Sequence, residues 1–549
     1  MLVNASLATE FAHDICIVGS GPVGLALASR LAGRGLRVLV LESGEVDANP
    51  AIQALADADI DPAAHDDMSI VTSRQLGGTS NLWGARALPF DPIDFEDREW
   101  IGARWPIRYE DMVAYLPDAV KATASGAPIY EEPFGDDTIG RIFAAAGPAF
   151  RTDTLERWAN EQRAQAIHRE AIRNDPNLII RTGVTVVGLC FAENGRVEAV
   201  EVRGSKDGAA AQLPVRELVL AAGGIETARL LLAAQRKAPD RFGGADGPLG
   251  RYYQGHVVGE VAEICFTRPE LARVFDFSVD QYGSYVRRRI VAATKTQHEQ
   301  RLLNCAFWPV VPRIGHADHR SAILSMIYLI MKMGPIARLI VAEKIRLMNL
   351  TSSDSPVGAH FVNLIRGMPE ATAFGFNFLA RRFNKRTRLP GVFLCNSGGR
   401  YGLSYHSEQM PNPASRLTLT DREDRLGMPR LAIDLRFLPE DAESTLRQHK
   451  LLEDWLRAAG IAQLRYHLPA PERAASILGQ ARHGTHQIGI TRMGTTRREG
   501  VVDGNCACFD APNLHLASTA ILPTSGQANP TLTAIALALR LGDRLATSF

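Results

Sequence analysis

The sequence predicts an α/β fold, α+β overall once a second domain is counted, and three observations lead to it. Near the N-terminus an apolar strand runs into a glycine-rich turn, a helix and a second apolar strand. Residues 217–234 repeat the arrangement: an apolar strand, two glycines, then a helix. From about 260 to 480 the character changes to scattered strands mixed with helical stretches, as a separate domain would show.

The first element is the short run 14–18 (DICIV), apolar as a buried parallel strand should be. Gly19-Ser20-Gly21-Pro22-Val23-Gly24 follows, then an Ala/Leu-rich helical stretch over 25–34 and a second apolar run, 37–41, ending in Glu42. The three glycines permit a tight turn and bring backbone N–H groups close to a pyrophosphate at a helix N-terminus. Glu42 stands where a carboxylate accepts ribose hydroxyls, which favours a 2′-hydroxyl over a 2′-phosphate. The ligand is therefore FAD or NAD rather than NADP, and the motif alone does not choose between the two.

Gly77-Gly78-Thr79-Ser80 opens a Gly-, Trp-, Asp- and Pro-rich region and reads as a loop of backbone donors suited to a phosphate or a flavin edge. A plain surface loop is the alternative, but Leu76, Leu82 and Trp83 would then need burial beside it. Strands are expected over 178–182, 184–191, 197–202 and 217–222. The last of these runs into Gly223-Gly224 and a helix over 225–234, a second place for backbone to press on a dinucleotide. Farther on, strands are expected over 257–266, 416–420 and 430–437, with helices over 321–332, 334–348 and 441–459. The apolar and basic stretch 321–390 has two readings: a membrane face or apolar substrate entry, or a buried helical pair with a solvated basic face.

The chain's 549 residues suggest about two to four domains and a large core. Hydrophobic residues make up 46% and charged residues 22%, the balance of an ordinary globular protein. Lys plus Arg (61) nearly cancels Asp plus Glu (60), so no global field recruits nucleic acid or an anionic membrane. A small neutral or weakly charged ligand fits better. The seven cysteines form no CxxC and are read as reduced thiols, Cys506 and Cys508 included. The N-terminus lacks the basic and apolar regions of a signal peptide, and no run reaches the 18 or so apolar residues of a membrane span. A cytoplasmic location is expected, with no transmembrane segment and a peripheral membrane contact left open.

The sharpest signal is the tail: HQIGITRMG from His486, GVVDGN at 500–505, and NLHLASTAILPTSGQANPTLTAIALALRLGDRL at 513–545. With the N-terminal motif, Gly77–Gly84, the 94–105 segment, ELVLAAGGIETARLLL and YHSEQMPNPASRLTL (405–419), it resembles the glucose–methanol–choline (GMC) oxidoreductases. The central 265–390 carries no named motif. The resemblance implies FAD in a discontinuous Rossmann-like domain over 1–95, 170–260 and 484–549. It also implies a substrate domain, 96–169 and 261–483, with a mainly antiparallel sheet and helices. It places the family's catalytic His on His486 and the partner position on Asn529. The cofactor would be held by Gly19, Gly21, Gly24, Glu42, Gly77, Gly78, Thr79, Asn81, Leu82, Val184, Ala222, Gly223, Ala520, Pro530 and Thr531.

The chemistry suits that pair. Oxidising an alcohol removes a hydroxyl proton and delivers a hydride to flavin N5. A neutral imidazole takes the proton, and an amide holds the substrate oxygen without titrating. His483 is the alternative base, and Asn529 could instead simply cap the helix that begins near Pro530. His483 and His486 make a pair without a third ligand, so no metal is expected. His256 reads as structural, and His406 and His515 as ordinary polar residues. Members that attach FAD covalently use a His at the position of Leu82, so FAD is expected to be non-covalent here, with Asn81 facing the flavin. Ala517-Ser518-Thr519 departs from the family's usual Gly-Ser.

The expected substrate is a sugar, glycoside or other polyol, and the electron acceptor is oxygen or a quinone-like carrier. Two other readings stay open. One is an FAD-containing lyase of the same fold. The other is a tailoring oxidoreductase acting on a more apolar, carrier- or partner-bound alcohol, docking through Arg381, Arg382, Lys385 and Arg386.

Overall fold

The computed structural model describes residues 2–4, 12–135, 137–332, 356–369, 371–374, 390–391, 393–396 and 398–549. The expected helix over 334–348 and the basic patch 381–386 lie outside the described residues.

The chain builds a seven-stranded sheet in the order Leu2–Asn4, Leu178–Thr182, Val38–Glu42, Ile15–Val18, Glu217–Leu220, Ala511–Leu516, Ala507–Cys508. Every neighbouring pair is parallel except the last, which is antiparallel. The apolar run at 15–18 is buried on both faces because helices cover the sheet. One of them, Pro22–Ala32, starts directly from the glycine turn, with Pro22 in its first turn, and packs against the C-terminal helix Thr531–Ala546. The two apolar strands that precede glycines, Ile15–Val18 and Glu217–Leu220, are neighbours in the sheet centre. Both glycine turns therefore open at the same edge. A three-stranded antiparallel sheet, Val184–Phe191, Val197–Gly204 and Ala210–Pro214, stands beside it.

The other large sheet has six strands: Ala462–Tyr466, Val257–Phe266, Arg400–Ser407, Cys305–Val310, Ile290–Ala292 and Phe150–Arg151. All of its pairs are antiparallel. The helix Pro439–Ala458 lies against it and buries Leu452, Trp455 and Leu456 in a second hydrophobic core. A four-stranded antiparallel sheet carries Ser278–Val279, Tyr285–Arg288, Leu155–Trp158 and Arg86–Ala87. The fold is thus α/β with an antiparallel, helix-backed second part. Among the described residues, no helix is long and apolar enough to cross a membrane.

None of the seven cysteines is paired. Cys16, Cys305, Cys506 and Cys508 are buried, and desolvation raises their thiols, to about 12 for Cys16 and Cys506. A thiol so held is a poor nucleophile. Titrating the folded protein with an aromatic disulfide reagent should modify Cys395, the exposed cysteine, first; the four buried ones should react only after denaturation. Prompt reaction of all seven in the native protein would contradict the packing.

Candidate active site and cofactor cleft

A continuous cleft runs from Glu42 past Gly21, Gly78 and Gly223 to His486 and Thr531. Its floor is built by turns rather than side chains. Gly19 has φ +102°, and a Cβ there would sit 2.6 Å from the Ala221 carbonyl oxygen. Gly24 is shut more tightly, because a Cβ would come within 2.2 Å of the Gly19 oxygen. The glycine at 24 thus lets the helix N-terminus close onto the strand turn, which aims its free N–H groups into the cleft. At Gly21 a Cβ would meet no protein atom within 4 Å and would project into open space. That unfilled cradle is the shape a pyrophosphate needs.

Glu42 is buried at the end of its strand, where Ser20 N–H and Ser20 Oγ–H donate to one carboxylate oxygen at 2.9 and 2.7 Å. Gly44 N–H donates to the other at 2.7 Å, leaving that oxygen a lone pair for a hydroxyl in the cleft. The Gly77–Gly78 turn lies over this first loop: Gly77 N–H donates to the Ser20 carbonyl at 3.1 Å, and a Cβ on Gly78 would stand 2.9 Å from Gly21 Cα.

Of the expected cofactor residues, Gly19, Gly21, Glu42, Gly78, Thr79, Val184, Ala222, Gly223, Pro530 and Thr531 line the cleft. Gly24, Gly77 and Ala520 stand behind it as packing. Asn81 and Leu82 are placed elsewhere. The Asn81 amide donates to the carbonyls of Leu76 and Gly78, at 3.0 and 2.9 Å, and accepts from Gln165 at 2.9 Å. Its polar atoms are consumed in holding the loop, so it does not face the cleft. Leu82 is 52% exposed.

The expected catalytic pair, His486 and Asn529, comes together although its members lie on separate turns of the tail. Asn529 Nδ2 is 3.1 Å from His486 Nε2, and His486 Nδ1 is 2.8 Å from His256 Nδ1. His256 Nε2 stands 3.1 Å from the Ser525 carbonyl oxygen. A carbonyl only accepts, so His256 carries its proton on Nε2 and offers a lone pair at Nδ1. His486 must then donate from Nδ1, which leaves Nε2 bare and accepting from the Asn529 amide. These tautomers follow from the hydrogen-bond partners.

His406 and His483 complete a cluster in which one ligating atom from each of the four imidazoles lies within 4.8 Å of the others. The sequence offered His483 and His486 as a pair, and the fold adds His256 and His406. His256 and His406 are stacked, with ring centroids 4.1 Å apart and planes 23° apart. Their lone pairs therefore run in nearly parallel planes and converge poorly on one ion, and His406 Nδ1 is engaged with the Gln527 carbonyl at 2.5 Å. All four rings are held neutral. Burial lowers His256, His406 and His486 well below the ordinary imidazole value and takes His483 to about 4; neighbouring imidazoles push the same way at all four, and Arg86 does so at His256, His406 and His486. Nothing in the linear sequence marked His406 or Arg86, whose hydrogen-bond partners lie from 70 to 443 residues away. His515, by contrast, is an ordinary polar partner of Glu217 at 3.0 Å.

Residues 411–538 match the family model described as GMC oxidoreductase, and residues 17–46 match that of an NAD(P)-binding Rossmann-like domain. The chain is 23% identical to 6'''-hydroxyparomomycin C oxidase of Streptomyces lividus, over 97% of this chain and 91% of that one. It is 22% identical to 2-methyl-1,2-propanediol dehydrogenase of Mycolicibacterium austroafricanum, over 98% and 95%. Pyridoxine 4-oxidase from Mesorbium loti shares the fold with a TM-score of 0.54 at 19% identity, covering 97% of this chain and 99% of that one. Fold, cleft and relatives together define an FAD-dependent oxidoreductase of alcohol groups. Residues 411–538 are thus a GMC oxidoreductase domain, and residues 17–46 a Rossmann-like dinucleotide-binding segment.

Proposed function

We propose that the protein oxidises a polyol, sugar or glycoside CH–OH to a carbonyl, with His486 as the base and Asn529 as the holder of the substrate oxygen. The observation that carries this reading is the bare Nε2 of His486, presented 3.1 Å from an amide donor at the edge of the cleft. A substrate hydroxyl entering there takes the place of the amide N–H at Nε2 and gives its proton to that nitrogen, while its oxygen accepts from Asn529 Nδ2. The amide stabilises the charge that grows on that oxygen and carries no proton of its own to lose. FAD, when bound, supplies the hydride acceptor. The glycine turns would hold its pyrophosphate, and Glu42 would accept from a ribose hydroxyl. His483 is the weaker base, because its Nδ1 turns toward the backbone N–H of His486 at 3.4 Å.

The polyol class is supported by relatives named for a paromomycin derivative and for a propanediol. FAD is expected to be non-covalent, because Leu82 offers no nucleophile and lies outside the cleft. Acid precipitation of the yellow protein should release all flavin absorbance to the supernatant; colour retained in the pellet would overturn non-covalent binding. Anaerobic titration of the holoenzyme with diols, sugars and long-chain alcohols should bleach the flavin with a polyhydroxylated compound first. Bleaching by simple long-chain alcohols alone would reject the polyol class.

A further inference from the structure

We infer that Arg86 is the positioning residue of this site: it pins the Asn529 amide in one orientation and, with the Ser525 carbonyl at the other end of the chain, holds His486 in one tautomer. The inference rests on the roles given above to His486 and Asn529.

Arg86 Nε–H donates to Asn529 Oδ1 at 2.6 Å. A guanidinium has donors only, so it accepts just one of the amide's two faces. The chain of contacts is therefore closed at both ends by groups that cannot exchange roles: Arg86 at one end, the Ser525 carbonyl at the other. Between them a single proton arrangement satisfies every link. Arg86 donates to Oδ1, Nδ2 donates to His486 Nε2, His486 Nδ1 donates to His256 Nδ1, and His256 Nε2 donates to Ser525. Flipping the amide would put Oδ1 against His486 Nε2 and require a proton there. Two bare Nδ1 atoms would then face each other at 2.8 Å, and His256 could not relieve them without losing its bond to Ser525. One flip would thus disarm the base.

Arg86 is itself held by sheet register. It faces Trp158 across the strand pair, and Arg287 faces Glu156 on the next strand. The buried Glu156 carboxylate accepts from Arg86 Nη1 at 3.0 Å and from Arg287 Nε at 2.6 Å. Trp308 lies beneath both guanidinium groups, each 5.1 Å from its ring. Removing Arg86 leaves Glu156 paired with Arg287, so the surrounding ion network keeps a partner for its carboxylate.

The charged and titratable groups facing His486 are His483, His256 and Arg86, with His406 stacked behind His256. Arg86 is the permanent cation among them. In Arg86→Ala, anaerobic flavin reduction should slow by about a hundredfold, the scale of a misplaced catalytic group. Its acid limb should move to higher pH, since a cation that disfavours imidazolium is gone. Guanidinium added well below denaturing concentration should restore much of the rate, which a merely structural role would not allow.

A second readout needs no substrate: imidazole ¹⁵N spectra of the oxidised holoenzyme, with His486 identified by comparison with His486→Ala. Wild type should show His486 protonated on Nδ1 alone, and Arg86→Ala, in which only the Ser525 end still holds the proton chain, should show a second population protonated on Nε2. An unchanged tautomer, or full rate in Arg86→Ala, overturns the inference. Should the alanine variant fail to fold, Arg86→Lys retains a cation beside Glu156; wild-type rate together with an unchanged His486 spectrum in that variant likewise overturns it. A wild-type enzyme that no alcohol reduces would overturn His486 as base, while the spectra would still decide for or against Arg86.

Discussion

Replacing His486 by Ala is expected to slow flavin reduction by the cognate alcohol at least about a hundredfold, the usual span for a lost general base, with FAD content unchanged. The side chain borders the cleft without building its floor, so the cofactor keeps the glycine turns and Glu42. The wild-type pH profile carries a second signature. Desolvation, then His483, His256 and Arg86, disfavour the charged ring, so His486 stays neutral through the range where an ordinary imidazole protonates. A base must be unprotonated to act. Flavin reduction should therefore stay flat as pH falls through 6.5, the ordinary imidazole value, with its acid limb well below. Stopped-flow reduction under anaerobic conditions checks both statements. A fully active His486→Ala enzyme would move attention to His483.

The second large effect lies at the glycine turn and separates folding from cofactor binding. In Gly24→Ala the new methyl would meet the Gly19 oxygen at 2.2 Å, an overlap that a close-packed strand–helix turn cannot absorb without shifting. Flavin affinity should fall by at least about a hundredfold, equivalent to ~2.8 kcal/mol, and the apoprotein should melt earlier. In Gly21→Ala the methyl touches no protein atom within 4 Å, and the φ of −65° suits any residue. The apoprotein should keep its melting temperature while flavin binding weakens, because the methyl occupies the cradle. FAD titration by fluorescence and apoprotein melting curves give the two readings. Gly21→Ala binding FAD as wild type does would mean that the pyrophosphate lies elsewhere.

Four of the seven strands of the large sheet were readable because they are continuous apolar runs, which survive without knowledge of their neighbours; Leu2–Asn4, Ala507–Cys508 and Ala511–Leu516 are too short or too polar to show such a run. Residues 257–266 were expected as a strand and form one over the same span. The remaining strands of the six-stranded sheet were harder. Arg400–Ser407 reads RYGLSYHS, with polar residues that find partners only inside the domain, and Ile290–Ala292 is too short for any period. The helix expected over 225–234 begins one residue earlier, at Gly224, and runs about a turn longer, to Lys237.

The site was legible in part. His486 and Asn529 share one stretch of tail, and the fold sets them at hydrogen-bond distance. Asn81 was misplaced because the sequence shows a polar residue beside a cofactor loop and cannot show that the loop itself uses every one of its polar atoms. His256, His406 and Arg86 reach the site from three different strands or turns, so no linear spacing could join them to His486.

The order of strands in the large parallel sheet also governs when the enzyme becomes complete during its own synthesis. Glu217–Leu220 pairs with Ile15–Val18 on one side and meets Ala511–Leu516 on the other only after residues 221–510 have been synthesised. The turn that carries Asn529 emerges later still. At ~5–20 residues per second, the interval between the first glycine turn and the last is on the order of a minute. From the synthesis of Leu220 until Ala511–Leu516 arrives, the edge of Glu217–Leu220 opposite Ile15–Val18 has no permanent neighbour, the situation that invites mispairing or chaperone capture. Flavin loading is therefore a late event in biogenesis. Slow-growth or low-temperature expression, which lengthens the time for orderly docking relative to aggregation, should raise the yellow fraction of the purified protein more than its total yield.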